Sequence, residues 1–245
     1  MTLAIRGDRA SSLSLQLGPR TWLLAIASGF GRVDGLATES ALLARLRAEC
    51  ERRSRSARFR RAIDHPAGAA TAMLSVLTRV NCDLYTCTAS HDDYVTAAAS
   101  LTAVLVVQGR AYAIQAGSTA AYLAHEEQIV ALSEDDAFDE RFGALLFRAL
   151  GAGGPLDVTI SSATLAPGDA IVLLGRRAQG DAERRALLAQ LDASELGDHV
   201  LVARFEHDES PEPRMARPAP RLNAAAVIGR IAATITFLLA VVSSR

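Results

Sequence analysis

Gly109-Arg110-Ala111-Tyr112-Ala113-Ile114-Gln115-Ala116-Gly117-Ser118-Thr119-Ala120-Ala121-Tyr122-Leu123 is the stretch whose reading decides the fold. It holds two short runs of small, aliphatic and aromatic residues parted by Gly-Ser-Thr. A β-branched and aliphatic run, residues 101–107, precedes it, and residues 128–132 follow it. Runs of strand length between glycine-bearing turns read as strands, and connections of two to four residues join antiparallel neighbours. The expectation is an antiparallel meander over 101–107, 111–116, 120–125 and 128–132.

Outward from this block the period changes. Trp22 opens a short apolar run, residues 22–27, that ends in Ser28-Gly29 and reads as a buried strand. Residues 37–53 carry Ala41, Leu42, Leu46 and Ala48 at helical spacing. Residues 69–81 place Met73, Val76, Leu77 and Val80 on one helix face. A third helix is expected over 134–150, with Phe138, Phe142, Leu145, Leu146 and Leu150 as its stripe. Pro167-Gly168 is a turn that launches a strand at 170–174. A helix at 182–191 and a last strand at 199–205 follow. Strands in hairpin order interleaved with helices indicate an α+β domain rather than a doubly wound parallel sheet.

Composition bounds the function classes. Of the 245 residues, 50% are hydrophobic and 22% charged, which suits a packed core. The net charge of −1 gives no global pull on nucleic acid or acidic membranes, and no nucleic-acid partner is expected. Every basic side chain is Arg. A run of six arginines over residues 52–61 reads as solvated helix surface or loop, with an anionic-partner patch as the alternative. Cys50, Cys82 and Cys87 lack metal-ligand spacing in what reads as a reducing compartment; Cys82 and Cys87 could be bridged only if the chain between them folds back, and otherwise read as ordinary buried thiols. The N-terminus lacks the basic-then-apolar pattern of a secretory signal.

Four segments resemble the signature blocks of the PPM-type (type-two-C, metal-dependent) serine/threonine protein phosphatases. Leu23-Leu24-Ala25-Ile26-Ala27-Ser28-Gly29-Phe30-Gly31 is similar to that family's Ala-Asp-Gly-Met-Gly-Gly block. Gly109 to Leu123 resembles Gly-Arg-Leu-Tyr-Val-Ala-Asn-Val-Gly-Asp-Ser-Arg-Ala-Tyr-Leu. Leu165-Ala166-Pro167-Gly168-Asp169-Ala170-Ile171-Val172-Leu173-Leu174-Gly175-Arg176-Arg177 resembles Leu-x-Pro-Gly-Asp-x-Leu-Leu-Leu-Cys-Ser-Asp-Gly. Gly197-Asp198-His199-Val200-Leu201-Val202 resembles the closing Asp-Asn-Ile-Thr-Val-Val strand. The blocks run in order over residues 20–205, and the resemblance implies a four-layer αββα sandwich.

It also implies two divalent metals, Mg²⁺ or Mn²⁺, held by clustered carboxylates that activate a water against a phosphate ester. This chain departs from the pattern at those positions. The bridging Asp is Ser28, followed by the conserved-type Gly29; the Gly-Asp-Ser acid is Ser118; the Ser-Asp-Gly acid is Arg176. Only Asp198 matches. A neutral hydroxyl or a guanidinium cannot neutralise two dications, so the resemblance implies a phosphatase-like protein without two-metal catalysis, a pseudophosphatase, with no cofactor. Arg176 is expected either to fill the vacated metal region and pair with Asp198 or to point into solvent. An alternative register reads Val33-Asp34-Gly35 as the first block, and an active enzyme with an atypical metal site would use Asp34 or Asp8 together with Asp198. An inert structural subunit is a further reading.

The tail divides from the domain. Residues 1–205 form the phosphatase-like unit, and 206–223 form a Pro- and charge-rich linker. Residues 224–242 are apolar apart from Arg230 and two threonines; as a helix they span about 28 Å, close to the hydrocarbon thickness of a bilayer. Arg214, Arg217 and Arg221 precede that segment and Arg245 follows it, so the positive-inside rule keeps the domain cytoplasmic. The expectation is a cytoplasmic domain anchored to the inner membrane, or, if the segment docks on protein, a cytoplasmic one. Its expected partner is a phosphoprotein or Ser/Thr kinase.

Overall fold

The computed structural model describes residues 2–6, 11–88, 97–126, 128–133, 148–153, 155–178, 180–191 and 200–206. One five-stranded sheet runs in the order β10 (Thr159–Thr164), β7 (Arg110–Ala116), β6 (Ala98–Val107), β3 (Thr21–Phe30), β2 (Ser12–Gly18). The other runs β1 (Thr2–Arg6), β12 (Val200–Glu206), β11 (Ala170–Leu174), β8 (Ala120–His125), β9 (Gln128–Ala131). All pairings within both sheets are antiparallel.

Side-chain alternation along β3 builds the layers. Leu23, Ala25 and Ala27 face three helices: α1 (Thr38–Ser54), α2 (Ala57–Ile63) and α3 (Pro66–Thr88). Leu24 and Ile26 point the other way and pack with Ile171, Leu173, Leu201, Ala203 and Phe205 of the second sheet. That sheet's outer face, with Tyr122, Val172 and Val202, is covered by Leu187 and Leu188 of α4 (Gly180–Gln190). The layers run helix, sheet, sheet, helix. Every residue of β6 is buried, because it has helices on one face and a sheet on the other. This is why its sequence reads as a continuous apolar run rather than an alternating one.

The expected four-strand meander is corrected. β6 and β7 form a hairpin in one sheet, while β8 and β9 form a hairpin in the other. The crossing is made at Gly117-Ser118-Thr119, where Gly117 has φ 89°. A connection of three residues is short enough for a hairpin, but left-handed backbone at Gly117 turns the chain between sheets instead. The helix read over 69–81 extends over Pro66–Thr88, with Pro66 at a first-turn position that needs no N–H partner. Strands β1, β2 and β10 were not foreseen in the sequence. β2 has the alternating pattern of a half-buried strand, with serines on its polar side, and β10 carries Ser161-Ser162 at its centre.

Cys82 and Cys87 are corrected as well: both are free thiols exposed on α3, and of the three only Cys50 is buried. The helix expected at 134–150 falls, up to residue 147, outside the described residues. So do Asp8, Asp198, the 207–223 part of the linker and the 224–242 segment. The expected end of that helix is corrected, since residues 148–150 are not helical and Leu150 bridges Ala99 of β6. Among the described residues no helix is long and apolar enough to cross a membrane. All described residues fall within one unit of the chain, Met1–Asp208.

Candidate functional site

Pairing brings the strand ends named from the sequence to one end of the sandwich. Ser28 lies on β3 directly opposite Ser100 of β6. Ser100 Oγ accepts a hydrogen bond from the Ser118 amide at 3.1 Å, and its hydroxyl stands 3.3 Å from Ser118 Oγ. Behind them Thr102 Oγ1 and Thr119 Oγ1 are 2.8 Å apart, both fully buried. Gln115, beside Thr102 in the register, donates from Nε2 to the carbonyls of Gly117 at 2.8 Å and Thr119 at 2.9 Å. Ser28, Ser100, Thr102 and Gln115 share the inter-sheet face of their sheet, since Ile26, the register partner of Thr102, packs in the inter-sheet core. The result is a seam of neutral hydroxyls and one carboxamide between the sheets. Gln115 Oε1 is buried and accepts no hydrogen bond among the described residues.

Local chemistry fixes this end. Thr38, the first residue of α1, donates from Oγ1 to the Phe30 carbonyl at 2.7 Å and ties the end of β3 to the helix start. A Cβ on Gly29 would come within 2.9 Å of the Ala98 carbonyl oxygen and 3.0 Å of the Ala99 Cβ, so only glycine lets β6 approach there. A Cβ on Gly117 would come within 2.2 Å of Ser100 Oγ and 2.9 Å of the Arg148 carbonyl. Ala99 and Leu150 exchange backbone hydrogen bonds at 3.0 and 2.8 Å, and Asn81 and Thr88 of α3 hold Gly151.

Arg176 follows β11, whose last residue Leu174 pairs with Ala120 beside Thr119. Its side chain is 72% exposed and pairs with Glu183 of α4 at 2.5 Å. Arg176 therefore has a carboxylate partner on α4; Asp198 lies outside the described residues. The neighbouring Arg177 donates to the Ser133 carbonyl at 2.7 Å, and the Ala178 amide donates to Tyr122 Oη at 2.9 Å, pinning the exit of β11.

Asp34 sits apart from the seam. It occupies, with Gly35, the two-residue turn between β4 (Arg32–Val33) and β5 (Leu36–Ala37), with φ 51° and 80°. An Asp-Gly pair at positive φ is the common chemistry of such a hairpin turn. Asp34 is 68% exposed and pairs with Arg45 of α1 at 2.6 Å. Burial opposes the charge on Arg45, but hydrogen bonds to Asp34 and to Cys87 outweigh it and hold its pKa above the ordinary value.

The donor set can be tested against two divalent metals. Hard dications need clustered anionic oxygens, and the described part of this end offers Ser28, Ser100, Ser118, Thr102 and Thr119 instead. Among the described residues no group of three or more His, Cys, Asp or Glu side chains could hold a metal ion. The described residues do not fit a two-metal centre. Thr102 and Gln115 escaped the sequence reading. The signal was present, a polar residue inside an otherwise apolar strand, because such a residue is buried only with partners.

Comparison with solved structures places this architecture. The chain is similar to PppA, a key regulatory component of T6SS in Pseudomonas aeruginosa (17% identity, TM-score 0.59, 83% of this chain and 96% of that one). It is similar to the Mycobacterium tuberculosis serine/threonine phosphatase PstP/Ppp (19%, 0.56, 84% and 99%) and to the PPM Ser-Thr phosphatase MsPP of Mycobacterium smegmatis (19%, 0.53, 84% and 99%). The fold is that of the PPM-type phosphatases. No protein-family model and no curated protein sequence matches the chain. In this PPM-type fold the hydroxyl seam occupies the strand ends that the sequence resemblance marks as the metal-binding blocks.

Proposed function

We propose that the chain is a PPM-type serine/threonine phosphatase-like protein that has exchanged two-metal catalysis for binding, a pseudophosphatase serving as a regulatory module in phospho-signalling. The observation that carries this reading is the Ser100–Ser118 contact. Ser118, where the resemblance places an acid, instead meets Ser100 through both its amide and its hydroxyl, which closes these strand ends. Phe30 and Leu36, 53% and 51% exposed on β3 and the hairpin that follows it, supply apolar surface suited to a protein partner. The regulatory role described for PppA agrees with such a partner, here a phosphoprotein or Ser/Thr kinase. Residues 1–206, with Glu206 ending β12 where the linker was expected to begin, form the binding unit, 207–223 its linker, and 224–242 the segment that tethers it to the cytoplasmic face of the cell membrane.

An active enzyme with an atypical metal site, using Asp198 with Asp34, is the second reading. The Asp34–Arg45 ion pair speaks against Asp34 as a ligand, because it already has a cation. The deciding experiment assays the full chain, purified in detergent, against phosphopeptides with Mn²⁺, beside Asp198→Asn. No turnover in either, with phosphopeptide or partner binding retained, is the expected result. Turnover lost in Asp198→Asn overturns the proposal.

A further inference from the structure

At the far end of the helix-covered sheet, where Thr21 pairs with Val107, α2 presents a basic face of a different character. Residues 52–63 hold six arginines and no acid. Phe59 and Ile63 anchor the helix in the core, 8% and 0% exposed. Asp64, which follows it, accepts from Thr21 Oγ1 at 2.5 Å, and its carbonyl accepts from Gln108 Nε2 at 2.8 Å. The helix is thus held on both sides, and its arginines are presented from a fixed backbone.

Most nearby charges are already engaged. Glu49 holds Arg52 and Arg53, and Glu51 lies 4.0 Å from Arg47; Asp64 accepts from the neutral Thr21 hydroxyl and keeps its charge, one carboxylate set against Arg60 and Arg61 in the same lining. Arg60 spends one nitrogen on the Ser54 carbonyl. Arg55, Arg58 and Arg61 are exposed, and their guanidinium groups have no hydrogen bond or ion pair to another described residue. Arg58 also stands in the first turn of α2, where the helix dipole disfavours a cation. Beside them lies a concavity of about 710 Å³ lined by Pro19, Ala57, Arg60, Arg61, Asp64 and His65.

We propose that this arginine face docks an acidic segment of a partner protein, with carboxylates on Arg55, Arg58 and Arg61 and one side chain seated between Pro19 and Ala57. Guanidinium forks match carboxylates in geometry and charge. A membrane surface fits less well, because the exposed large apolar residues described are Phe30, Leu36, Tyr85 and Val130, none of them on α2. A nucleic acid fits less well too: Phe59 is buried and leaves no stacking platform on this helix, and the net charge is −1. This docking face is separate from the hydroxyl seam and does not depend on the reading of that seam.

The test uses the full chain in detergent with a fluorescein-labelled Asp/Glu-rich peptide, read by anisotropy. Arg58→Glu with Arg61→Glu, both at exposed positions, is the comparison, and a thermal melt checks that it folds as the parent does. Binding to the parent that weakens about tenfold in the variant, and weakens again from about 50 to about 300 mM salt, is the expected result. Equal peptide binding by parent and variant overturns the proposal. So does variant-sensitive binding of duplex DNA or phosphatidylserine vesicles that is stronger than binding of the peptide.

Discussion

Ser118 donates its amide proton to Ser100 Oγ at 3.1 Å, joining the β7–β8 crossing to β6 through a neutral hydroxyl. The contact spans 18 residues of sequence and both sheets meet beside it. A carboxylate at position 118 would face that same hydroxyl.

Introducing acids there tests what the seam replaced. Ser28→Asp with Ser118→Asp places two carboxylates beside the Ser100 hydroxyl. In EDTA the variant should lose about 1–3 kcal/mol for each uncompensated acid. Mn²⁺ should restore part of the loss, seen as a rise in Tm absent from the parent. A variant indifferent to Mn²⁺ would show that these strand ends cannot be rebuilt into a metal site.

Gly117→Ala should be among the most damaging small substitutions. Its backbone sits at φ 89°, and the added methyl would meet Ser100 Oγ and the Arg148 carbonyl. Strained backbone costs about 1–3 kcal/mol before the clash is relieved. Urea melts should show at least that loss, whereas Gly168→Ala, at φ 90° with nothing close by, should show only the backbone share.

His125 and Asp169 set a pH dependence. His125 Nδ1 lies 2.6 Å from Asp169 Oδ1, and the other oxygen of Asp169 accepts from the Ala166 amide at 2.7 Å. The hydrogen bond to Asp169, then its charge, raises the His125 pKa above the ordinary 6.5. A raised folded pKa means the contribution is complete below the unfolded value and lost as pH climbs through the folded one. Stability measured from pH 5.5 to 8.5 should therefore decline in the parent by more than in His125→Gln. Parallel curves would remove His125 from the account.

Glu49 works in the opposite direction. Its carboxylate accepts from Arg52 at 2.7 and 2.8 Å and from Arg53 at 2.5 Å, and the Arg52 hydrogen bonds, first, hold its pKa below 4.5. A lowered folded pKa gives stability present above the unfolded value and lost as pH falls through the folded one. Glu49→Gln should cost about 1–2 kcal/mol at neutral pH and less at acid pH. A cost that does not change with pH would mean packing, not charge, is what the side chain supplies.

The thiols offer a check on packing. Burial pushes the Cys50 pKa up to about 12, while Cys82 and Cys87 are exposed. A thiol reagent at neutral pH should label Cys82 and Cys87 in the native protein and reach Cys50 only after unfolding. Native labelling of Cys50 would contradict the α1 packing described above.

Much of the fold was legible locally. Strands at 120–125 and 170–174 have the bounds their hydrophobic runs suggested, and α1 lies within a residue of its periodic pattern. That Ser28, Ser118 and Arg176 stand where the family resemblance places acids is a reading of the sequence alone, because it concerns which side chain stands in a block and not where it points. The signal for β2 was present in the alternation of Leu13, Leu15 and Leu17, whereas β10, at the opposite sheet edge, owes its strand to pairing with β7 more than to apolarity.

What the sequence by itself determined is the alternation that puts Leu23 and Leu24 on opposite faces, the helical stripes, and the chemistry available at each strand end. Only the tertiary structure decided that Gly117 carries the chain into a second sheet, that Ser28, Ser100 and Ser118 share one end, and that Arg176 finds Glu183. Periodicity is a property of neighbouring residues, governed by backbone geometry. Which strands pair, and which carboxylate a long guanidinium reaches, depends on contacts between residues far apart in the chain, and these exist only once the sheets have closed on their common core.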